Sequence, residues 1–377
     1  MSTLFDSVRV GSMELPNRFV RSATWEGMAG EDGSSSSKLN AMMGHLAKNE
    51  IGLIITGHAY VSPEGQAGPW QLGIHTDEMI PGLTEMTAKA HQAGGKICCQ
   101  LAHAGNRGAQ DLTNLQPFGP SDKDFRGKAR DCKAMTADDI QAVIQAFGNA
   151  ASRAKQAGFD AVQIHSAHGY LLGQFLSPFY NLRDDQYGGN RENRERLTMD
   201  VYTAVREAVG PDYPVLIKLN AHDYMHDLEN SYTLDDMLSI CARLNEAGID
   251  AIELSGGTID SRQNIPSRMG MIKRDREGFH RKAAEAYKKT NNGAPLMLVG
   301  GIRSFEKAEQ FVNDGICDFI SLCRPLIREP NLIKRWKSGD HAKAECMSDN
   351  LCFKPVRAGE GLYCLLKKKQ LENKKEK

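Results

Sequence analysis

The sequence predicts an α/β fold of the (β/α)8 class, a closed barrel of eight parallel strands surrounded by helices. Short apolar runs alternate with longer amphipathic stretches, which is the pattern of a parallel sheet buried on both faces. Eight such units with right-handed connections close into a barrel. An open, doubly wound sheet is the main alternative, because a sequence does not show closure. The apolar runs are RFVRSAT (18–24), GLIITGHAYV (52–61), KICCQLAH (96–103), AVQIHSA (161–167), PVLIKLN (214–220), AIELSGG (251–257), PLMLVGGI (295–302) and FISLCRP (319–325).

The stretches between these runs carry the signals of helices. TADDIQAVIQAFGNAASRAKQAG and NRERLTMDVYTAVREAVG have apolar residues at three- and four-residue spacing. Thr136 and Thr233 stand just before acidic residues and predict N-caps, whereas Gly158 and Gly248 predict the ends of helices. Ahead of the first strand, FDSVRVGSMELPN alternates polar and apolar residues around Gly11, which predicts a short hairpin that closes the bottom of the barrel.

Composition restricts the class of protein. The chain has 377 residues with 47 basic and 47 acidic side chains, so its overall charge does not favour nucleic acid or an anionic membrane. MSTLFDSVRVG lacks the features of a signal peptide, and no apolar run approaches the roughly 20 residues of a membrane span. Nine scattered cysteines indicate a reducing, cytoplasmic setting rather than a disulfide scaffold. We expect one domain over residues 1–365 and a polar, frayed tail over 366–377.

Polar residues gather where the predicted strands end, which is where barrels of this class carry their chemistry. LVGGIRS and SLCRPL follow the last two strands, and their glycines and arginine suit a phosphate, together with the start of a helix near Ser304. Side chains alternate across a strand, so Gln100, His165 and Lys218 can all face the barrel axis beneath one flat, polar-edged ligand.

Five segments carry a resemblance to a known family: RFVRSATWEGMA, QLAHAG, IHSAHGYLLGQFLSPFYNLRDDQYGGNRENR, VGGIR and RPLIREPNL. In these segments the sequence resembles the Old Yellow Enzyme family of FMN-dependent ene-reductases, and the similarity runs over nearly the whole chain, from about residue 4 to 365. The resemblance implies a non-covalently bound FMN at the mouth of the barrel. The residues that it implies for FMN are Ala23, Thr24 and Gly57 near the N5–O4 edge, Gln100 at the pyrimidine edge, Lys218 near N1 and O2, and Gly300, Gly301, Cys323 and Arg324 at the ribityl-phosphate end.

Two of these positions depart from the family pattern. The family usually has arginine where this chain has Lys218, and commonly glycine where it has Cys323. A lysine keeps the positive charge but loses the planar fork of an arginine. We therefore expect FMN to bind with a somewhat different potential.

The same resemblance implies a reaction. NADH or NADPH reduces FMN and leaves, and a hydride then passes from flavin N5 to the β-carbon of an α,β-unsaturated carbonyl compound. Negative charge develops on the carbonyl oxygen, where we expect His165 and His168 to bind the substrate as hydrogen-bond donors, each contributing on the order of 3 kcal/mol. Tyr170 is implied as the general acid that protonates the α-carbon.

Other readings of these residues stay open. A histidine pair can ligate a metal, but no carboxylate or cysteine near His165 and His168 has metal-site spacing, so we predict no metal. Lys218 is compatible with a Schiff-base aldolase, which accounts for neither the glycine–arginine phosphate site nor the imidazole pair. The alternative within the oxidoreductases is a flavin-dependent amine- or ether-cleaving dehydrogenase, and a non-catalytic binding protein is a third possibility. Further candidates for the pocket are His58, Tyr60, Trp70 and His103, of which His103 is equally compatible with a buried structural role.

The C-terminal segment CMSDNLCFKPVRAGEGLYC resembles the place where larger relatives carry a four-cysteine iron–sulfur cluster. Cys346, Cys352 and Cys364 keep a related spacing, but Asp349 stands where another cysteine is expected. Because the chain also ends soon afterwards, we expect a vestige of that site without a cluster. The physiological substrate, the choice between NADH and NADPH, and the oligomeric state, a homo-oligomer included, are not determined by the sequence.

Overall fold

The computed structural model describes residues 3–125, 127–225, 230–290 and 293–375. Eight of its strands, β3 to β5 and β8 to β12 in the order given below, form a closed barrel in which every neighbouring pair is parallel. The predicted barrel is confirmed, and each of its strands lies within the apolar run predicted for it. The strands are β1 (Val8–Val10), β2 (Met13–Leu15), β3 (Phe19–Arg21), β4 (Leu53–Tyr60), β5 (Ile97–Ala102), β6 (Phe118–Gly119), β7 (Lys133–Ala134), β8 (Ala161–Ser166), β9 (Val215–Asn220), β10 (Ala251–Ser255), β11 (Leu296–Val299) and β12 (Phe319–Leu322).

Helices follow the barrel strands and cover the outside of the sheet. They are α1 (Ser37–Lys48), α2 (Ile80–Gln92), α3 (Gln110–Thr113), α4 (Ala137–Gln156), α5 (Leu171–Leu176), α6 (Arg191–Val209), α7 (Leu234–Glu246), α8 (Arg281–Thr290), α9 (Phe305–Asn313), α10 (Arg324–Arg328), α11 (Leu332–Lys337), α12 (Phe353–Arg357) and α13 (Leu365–Lys375). Single 3-10 turns lie at Pro63–Gly65, Asp77–Met79, Gly105–Arg107, Arg262–Asn264 and Arg274–Arg276.

Local sequence signals fix where the long helices begin and end. Thr136 and Thr233 are the N-caps of α4 and α7, and each forms a reciprocal capping box with an aspartate three residues later. Gly158 and Gly248, which follow the same two helices, both have φ +84. Only glycine adopts this left-handed conformation without strain, so the chain can turn directly into the next strand.

The N-terminal hairpin closes the bottom of the barrel, as predicted. Its strands β1 and β2 pair in antiparallel fashion around Gly11, which has φ +54. Val10, Met13 and Leu15 are buried against the inward-facing side chains of the barrel strands. Because apolar side chains fill this end of the barrel, polar groups can line its interior only toward the opposite end.

The C-terminal segment differs from the expected frayed tail, since Leu365–Lys375 forms helix α13. The shorter α12 packs through Val356 against the residues that follow β3, among them Trp25 and Met28. This contact brings the C-terminal segment to the mouth of the barrel. Among the described residues, no helix combines the length and the apolar character that a membrane crossing requires.

Candidate active site

A cavity of about 740 Å³ opens at the carboxyl ends of the barrel strands. Each of the eight strands contributes residues to its lining, either from the strand itself or from the loop that follows it, together with three from the C-terminal segment. The structure brings eleven of the twelve predicted site residues to this cavity: Ala23, Thr24, Gln100, His165, His168, Tyr170, Lys218, Gly300, Gly301, Cys323 and Arg324.

Gly57 is the exception among the predicted site residues. It is not part of the described lining of the cavity, and its N–H donates to Glu26 Oε1 at 2.8 Å. Glu26 in turn forms a buried ion pair of 2.9 Å with Arg21. A side chain at position 57 would collide with the Glu26 carboxylate, so the absence of a side chain at Gly57 leaves space for this pair.

The floor of the cavity is a buried chain of hydrogen-bonded polar side chains inside the barrel. Gln100 Nε2 donates to Gln163 Oε1 at 2.7 Å, and Gln163 Nε2 donates to Glu253 Oε2 at 3.0 Å. The same Glu253 oxygen lies 3.0 Å from Lys218 Nζ, which also donates to Ser22 Oγ at 2.8 Å. Gln100 and Lys218 therefore both point into the barrel, as expected, and they are connected by Gln163 on β8 and Glu253 on β10.

Glu253, the buried acidic partner of Lys218, was not among the residues predicted from the sequence. Its side chain is fully buried, and burial by itself raises the pKa of a carboxyl group. The positive charge of Lys218 and the hydrogen bonds from Ser22 and Gln163 outweigh that effect and lower the pKa of Glu253. A lone charged residue inside the apolar run AIELSGG was the available signal, since an unpaired charge is not tolerated in a barrel interior.

His165, His168 and Tyr170 form one aromatic cluster at the end of β8. The strand ends at Ser166, and His168 then adopts a left-handed conformation with φ +63. This turn brings the His168 ring to 5.0 Å from the His165 ring, measured between centroids, and the Tyr170 ring to 5.2 Å from it. The expected departure from strand geometry after His165 is confirmed.

Neighbouring side chains hold this cluster in place. Ser255 Oγ lies 2.7 Å from His168 Nε2, and Asn220 Oδ1 accepts a 3.1 Å hydrogen bond from the His168 N–H. Tyr170 stacks on His58 at 5.4 Å, with its Oη 3.4 Å from His58 Nε2. The buried Nδ1 of His165 has no hydrogen-bond partner in the described parts of the chain, so a ligand could satisfy it.

The electrostatic environment keeps the imidazoles of the cluster neutral at physiological pH. Burial lowers the pKa of His58 to about 4. Burial also lowers the pKa of His165 and of His168 well below the usual range, and the charge of Lys218 contributes in the same direction. Burial raises the pKa of Tyr170, an effect that the nearby Arg107 partly opposes. The cluster therefore presents neutral N–H groups and a protonated phenol.

The loops after β11 and β12 form the other end of the cavity. Gly300 and Gly301 have φ +147 and +72, conformations that favour glycine, and the backbone and ring of Phe279 lie close to where their side chains would be. Arg324 reaches the same end, where its Nη1 donates to Arg268 O and to Asn350 Oδ1, each at 2.8 Å.

Two N–H groups that directly precede helix α9 are paired with a carboxylate. The N–H groups of Arg303 and Ser304 both donate to Glu277 Oε2 at 2.9 Å, and Ser304 Oγ donates to Glu277 Oε1 at 2.6 Å. A buried carboxylate thus accepts the hydrogen bonds of the two N–H groups before α9. The Arg303 side chain instead lines the cavity, and its buried Nε has no partner among the described residues.

Of the further candidates, only His58 lines the cavity. His103 is buried against Phe118, and its Nδ1 accepts a hydrogen bond from Gly105 N at 2.9 Å. Tyr60 stacks on His75 and donates to Asp32 O. Of the two roles predicted for His103, these contacts support the buried structural one.

The C-terminal cysteines surround a separate cavity of about 20 Å³, which adjoins the main cavity through Arg324. Cys346, Cys352, Cys364 and Asp349 all line it. Arg328 Nη1 donates to Cys364 Sγ at 3.5 Å, so a guanidinium lies against one thiol. Within the described residues, no three His, Cys, Asp or Glu side chains are grouped to hold a metal ion.

Comparison with known proteins identifies what the chain is similar to. The model of the NADH:flavin oxidoreductase / NADH oxidase family matches residues 3–343.

An NADH oxidase of Thermoanaerobacter brockii is 34% identical over 391 residues, which are 98% of this chain but 58% of that protein. The chain thus spans less than two thirds of this relative. An NADPH dehydrogenase of Geobacillus sp. (strain WCH70) is 35% identical over 328 residues, 87% of this chain and 91% of that protein. The solved structure of an old yellow enzyme homologue from Zymomonas mobilis has a TM-score of 0.76 and 27% identity over 90% of this chain and 93% of that one.

Proposed function

The chain belongs to the NADH:flavin oxidoreductase / NADH oxidase family, and on that premise we propose that it reduces the activated double bond of α,β-unsaturated carbonyl compounds. The family binds FMN and uses NADH or NADPH, and its structural neighbours include old yellow enzyme homologues. The observation that carries the proposal is the cluster of His165, His168 and Tyr170, whose neutral donors surround one side of the cavity.

The residues of the cavity fit FMN. An amide on Gln100 and a cation on Lys218 suit the polar edge of a flavin ring, because one can donate and accept and the other stabilises negative charge. At the β11–β12 end, Nε of Arg303 and Oγ of Ser321 are buried polar atoms without a hydrogen-bond partner among the described residues, and both residues line the cavity together with Arg324. Unsatisfied buried donors are costly, and a phosphate would satisfy them.

We assign the FMN site to Ala23, Thr24, Gln100, Lys218, Gly300, Gly301, Cys323 and Arg324, and we give Gly57 an indirect part. Gly57 leaves space for Glu26, whose ion pair with Arg21 lies beneath Thr24. When held by these residues, FMN would supply the hydride transfer between NAD(P)H and the β-carbon of the substrate. All remaining steps fall to side chains of the protein.

His165 and His168 bind the carbonyl oxygen in this proposal. With Nε2 of His168 at Ser255, Nδ1 is the ring atom left for the substrate. Because both imidazoles are neutral, they donate hydrogen bonds without the strong solvation that a charged ring would need. Donors of this kind, fixed before the reaction, lower the barrier as negative charge develops on the oxygen.

Tyr170 supplies the proton to the α-carbon. Its pKa is raised by burial, so the phenol keeps its proton at neutral pH until a strongly basic carbon appears beside Oη. Stacking on His58 fixes the ring, and the contact between Oη and His58 Nε2 fixes its direction. Trp25, Ile259 and Phe353 add apolar side chains to the lining of the same cavity.

Two alternatives find less support in the cavity. An amine substrate is usually cationic, and the described lining contains five cationic side chains but no Asp or Glu. A Schiff-base aldolase needs Lys218 as a free amine, whereas its Nζ lies within hydrogen-bonding distance of both Glu253 and Ser22.

The experiment that tests the proposal follows the visible spectrum of the purified protein through both half-reactions. We expect a flavin spectrum that NADH or NADPH bleaches under anaerobic conditions and that cyclohex-2-enone restores. Restoration by oxygen but not by the enone would contradict ene-reduction, and product formation from an amine would favour the dehydrogenase. Borohydride trapping of a carbonyl substrate on Lys218 would favour the aldolase.

A further inference from the structure

The cavity is lined by cations to an unusual degree. Among the described residues that line it, five side chains are cationic and none is acidic. The cations are Arg107, Lys218, Arg303, Arg324 and Arg357. Three of them, namely Lys218, Arg303 and Arg324, belong to the flavin end of the cavity.

We assign the two remaining cations, Arg107 after β5 and Arg357 on α12, to the substrate side of the cavity. They differ in how they are neutralised. Arg107 Nη2 forms a 2.5 Å ion pair with Asp260 Oδ2, which also accepts a 2.6 Å hydrogen bond from Tyr180 Oη. Arg357 is exposed, and within the described chain its guanidinium has neither an ion pair nor a hydrogen bond. Arg357 is therefore the cation of the substrate side that is free to bind an anion.

Helix α12 fixes the backbone position of Arg357. Phe353 and Arg357 are four residues apart on this helix, so they share one face, and both line the cavity. Val356 of the same helix is fully buried and lies so close to Gly27 that any side chain at position 27 would collide with it. The close approach at Gly27 anchors α12 beside Trp25 at the mouth.

Apolar side chains contribute to the lining of the cavity that Arg357 shares with the histidine cluster. They are Trp25, Ile259, Ile265 and Phe353. A ligand that fills it would therefore have an apolar body with its reactive carbonyl at His165 and an anionic group at the opposite, solvent-facing end.

We propose that Arg357 is a binding site for an anionic group, a carboxylate or a phosphate, on the ligand that enters the substrate side of the cavity. This inference rests on the proposed function and specifies its substrate class. The anionic group has two sources, the activated alkene itself or the 2′-phosphate of NADPH, and both would meet the same guanidinium. Since Arg357 is exposed, its contribution is that of a solvated ion pair, about threefold to fivefold in kcat/KM.

The test compares 4-carboxycinnamaldehyde with its uncharged methyl ester. Because the ester withdraws more electron density than the ionised carboxylate, the preference is defined as the ratio of the two kcat/KM values relative to the same ratio in Arg357→Gln. For the wild-type protein we expect this preference to favour the carboxylate. Arg357→Glu should reverse it, and Arg357→Lys should keep most of it. Added salt should reduce the wild-type preference because a solvated ion pair is screened.

Arg9→Glu is the matched control, because Arg9 is also exposed but lies on the hairpin at the opposite end of the barrel. It changes the net charge equally and should leave the preference unchanged. A second arm measures the rate of flavin reduction by NADPH and by NADH in the same variants. A loss confined to NADPH would assign the site to the 2′-phosphate, and a loss confined to the carboxylate aldehyde would assign it to the alkene.

The results distinguish a failure of the anion site from a failure of ene-reduction itself. If neither aldehyde reoxidises the reduced flavin, ene-reduction itself is wrong. If both aldehydes are reduced but the wild type and all Arg357 variants show the same ratio, and NADPH reduction is unchanged as well, the anion site is refuted while the proposed function stands.

Discussion

Asn220 Oδ1 accepts a hydrogen bond of 3.1 Å from the main-chain N–H of His168. The other end of the Asn220 amide donates to Asp223 Oδ1 at 2.8 Å and to Gly257 O at 3.3 Å. The end of β9 thus fixes a residue with φ +63 that follows β8. Because a left-handed conformation is disfavoured for histidine, it persists only where the surroundings determine it.

Replacing Asn220 should therefore impair the reaction through His168. We expect Asn220→Ala to slow reoxidation of the flavin by an enone by about 10- to 100-fold, since misplacement of one group by an ångström has an effect of that order. Flavin reduction by NAD(P)H should change much less. Stopped-flow measurement of the two half-reactions checks this.

Asn17 offers a control for that variant. It is buried at the other end of the barrel and has a similar pair of bonds, with Nδ2 donating to Glu50 O and Oδ1 accepting from Phe19 N. Asn17→Ala should reduce stability without changing the ratio of the half-reactions. If Asn220→Ala and Asn17→Ala had the same kinetic effect, the link from Asn220 to His168 would be refuted.

Tyr170→Phe should separate proton transfer from flavin reduction. The variant keeps the ring that stacks on His58 but lacks the Oη proton, so reduction of FMN should be nearly normal. Reduction of an enone should slow by about 10²- to 10⁴-fold, the usual contribution of a general acid. Equal loss of both half-reactions would remove the assigned role of the phenol.

His165→Ala should weaken the binding of carbonyl ligands and slow enone reduction by about 10²- to 10³-fold. Because burial lowers the pKa of His58 to about 4, and that of His165 and His168 well below the usual range, none of these rings gains a proton between pH 8 and 6. The dissociation constant of a neutral carbonyl ligand should be constant over that interval in the wild type. Titration of the flavin spectrum at several pH values measures it, and tighter binding toward pH 6 would indicate a protonating imidazole instead.

Asp223 should make the stability of the protein depend on pH in an unusual direction. Burial raises its pKa to about 6, compared with about 4 in an unfolded chain, so the folded state binds this proton more tightly. The free energy of unfolding should therefore gain from this group as pH falls from 6 to 4, by up to about 3 kcal/mol. The usual salt-bridged carboxylate has the opposite effect.

Chemical denaturation of the wild type and of Asp223→Asn at pH 4 to 7 isolates this contribution. The difference between the two stability curves should change across the interval, because the variant cannot bind the proton. Asp236, which raises the pKa of Asp223 through its charge, is present in both proteins. Parallel curves would show that Asp223 titrates like an exposed aspartate.

Glu253 should be essential for a stable barrel interior. Glu253→Ala leaves the Lys218 ammonium buried without its partner, which we expect to destabilise the protein by about 3–5 kcal/mol. The double variant Glu253→Leu/Lys218→Met removes both charges and should be considerably more stable than Glu253→Ala. Urea denaturation of the FMN-free proteins compares them, and a double variant no more stable than the single one would argue against an unpaired charge as the cause.

Features that depend on neighbours in the chain could be predicted from the sequence. The eight strands, the caps at Thr136 and Thr233 and the hairpin around Gly11 follow from periodicity and turn chemistry within some twenty residues. The approach of His165 and His168 belongs to this class as well, since one short turn brings them together. The helix at Leu365–Lys375 was missed because its sequence has almost no apolar face to indicate it.

Contacts between distant segments were decided only by closure of the barrel. Lys218 donates to Ser22, which lies 196 positions earlier in the chain, and pairs with Glu253 on the neighbouring strand. Glu277 accepts a hydrogen bond from the N–H of Ser304, just before α9. Arg357 lies at the mouth because α12 packs beside Trp25. By itself, then, the sequence determined the fold class and the identity of the groups at the strand ends. Only the tertiary structure decided which charges are paired and which remain free, because pairing depends on the distances between strands and loops far apart in the chain.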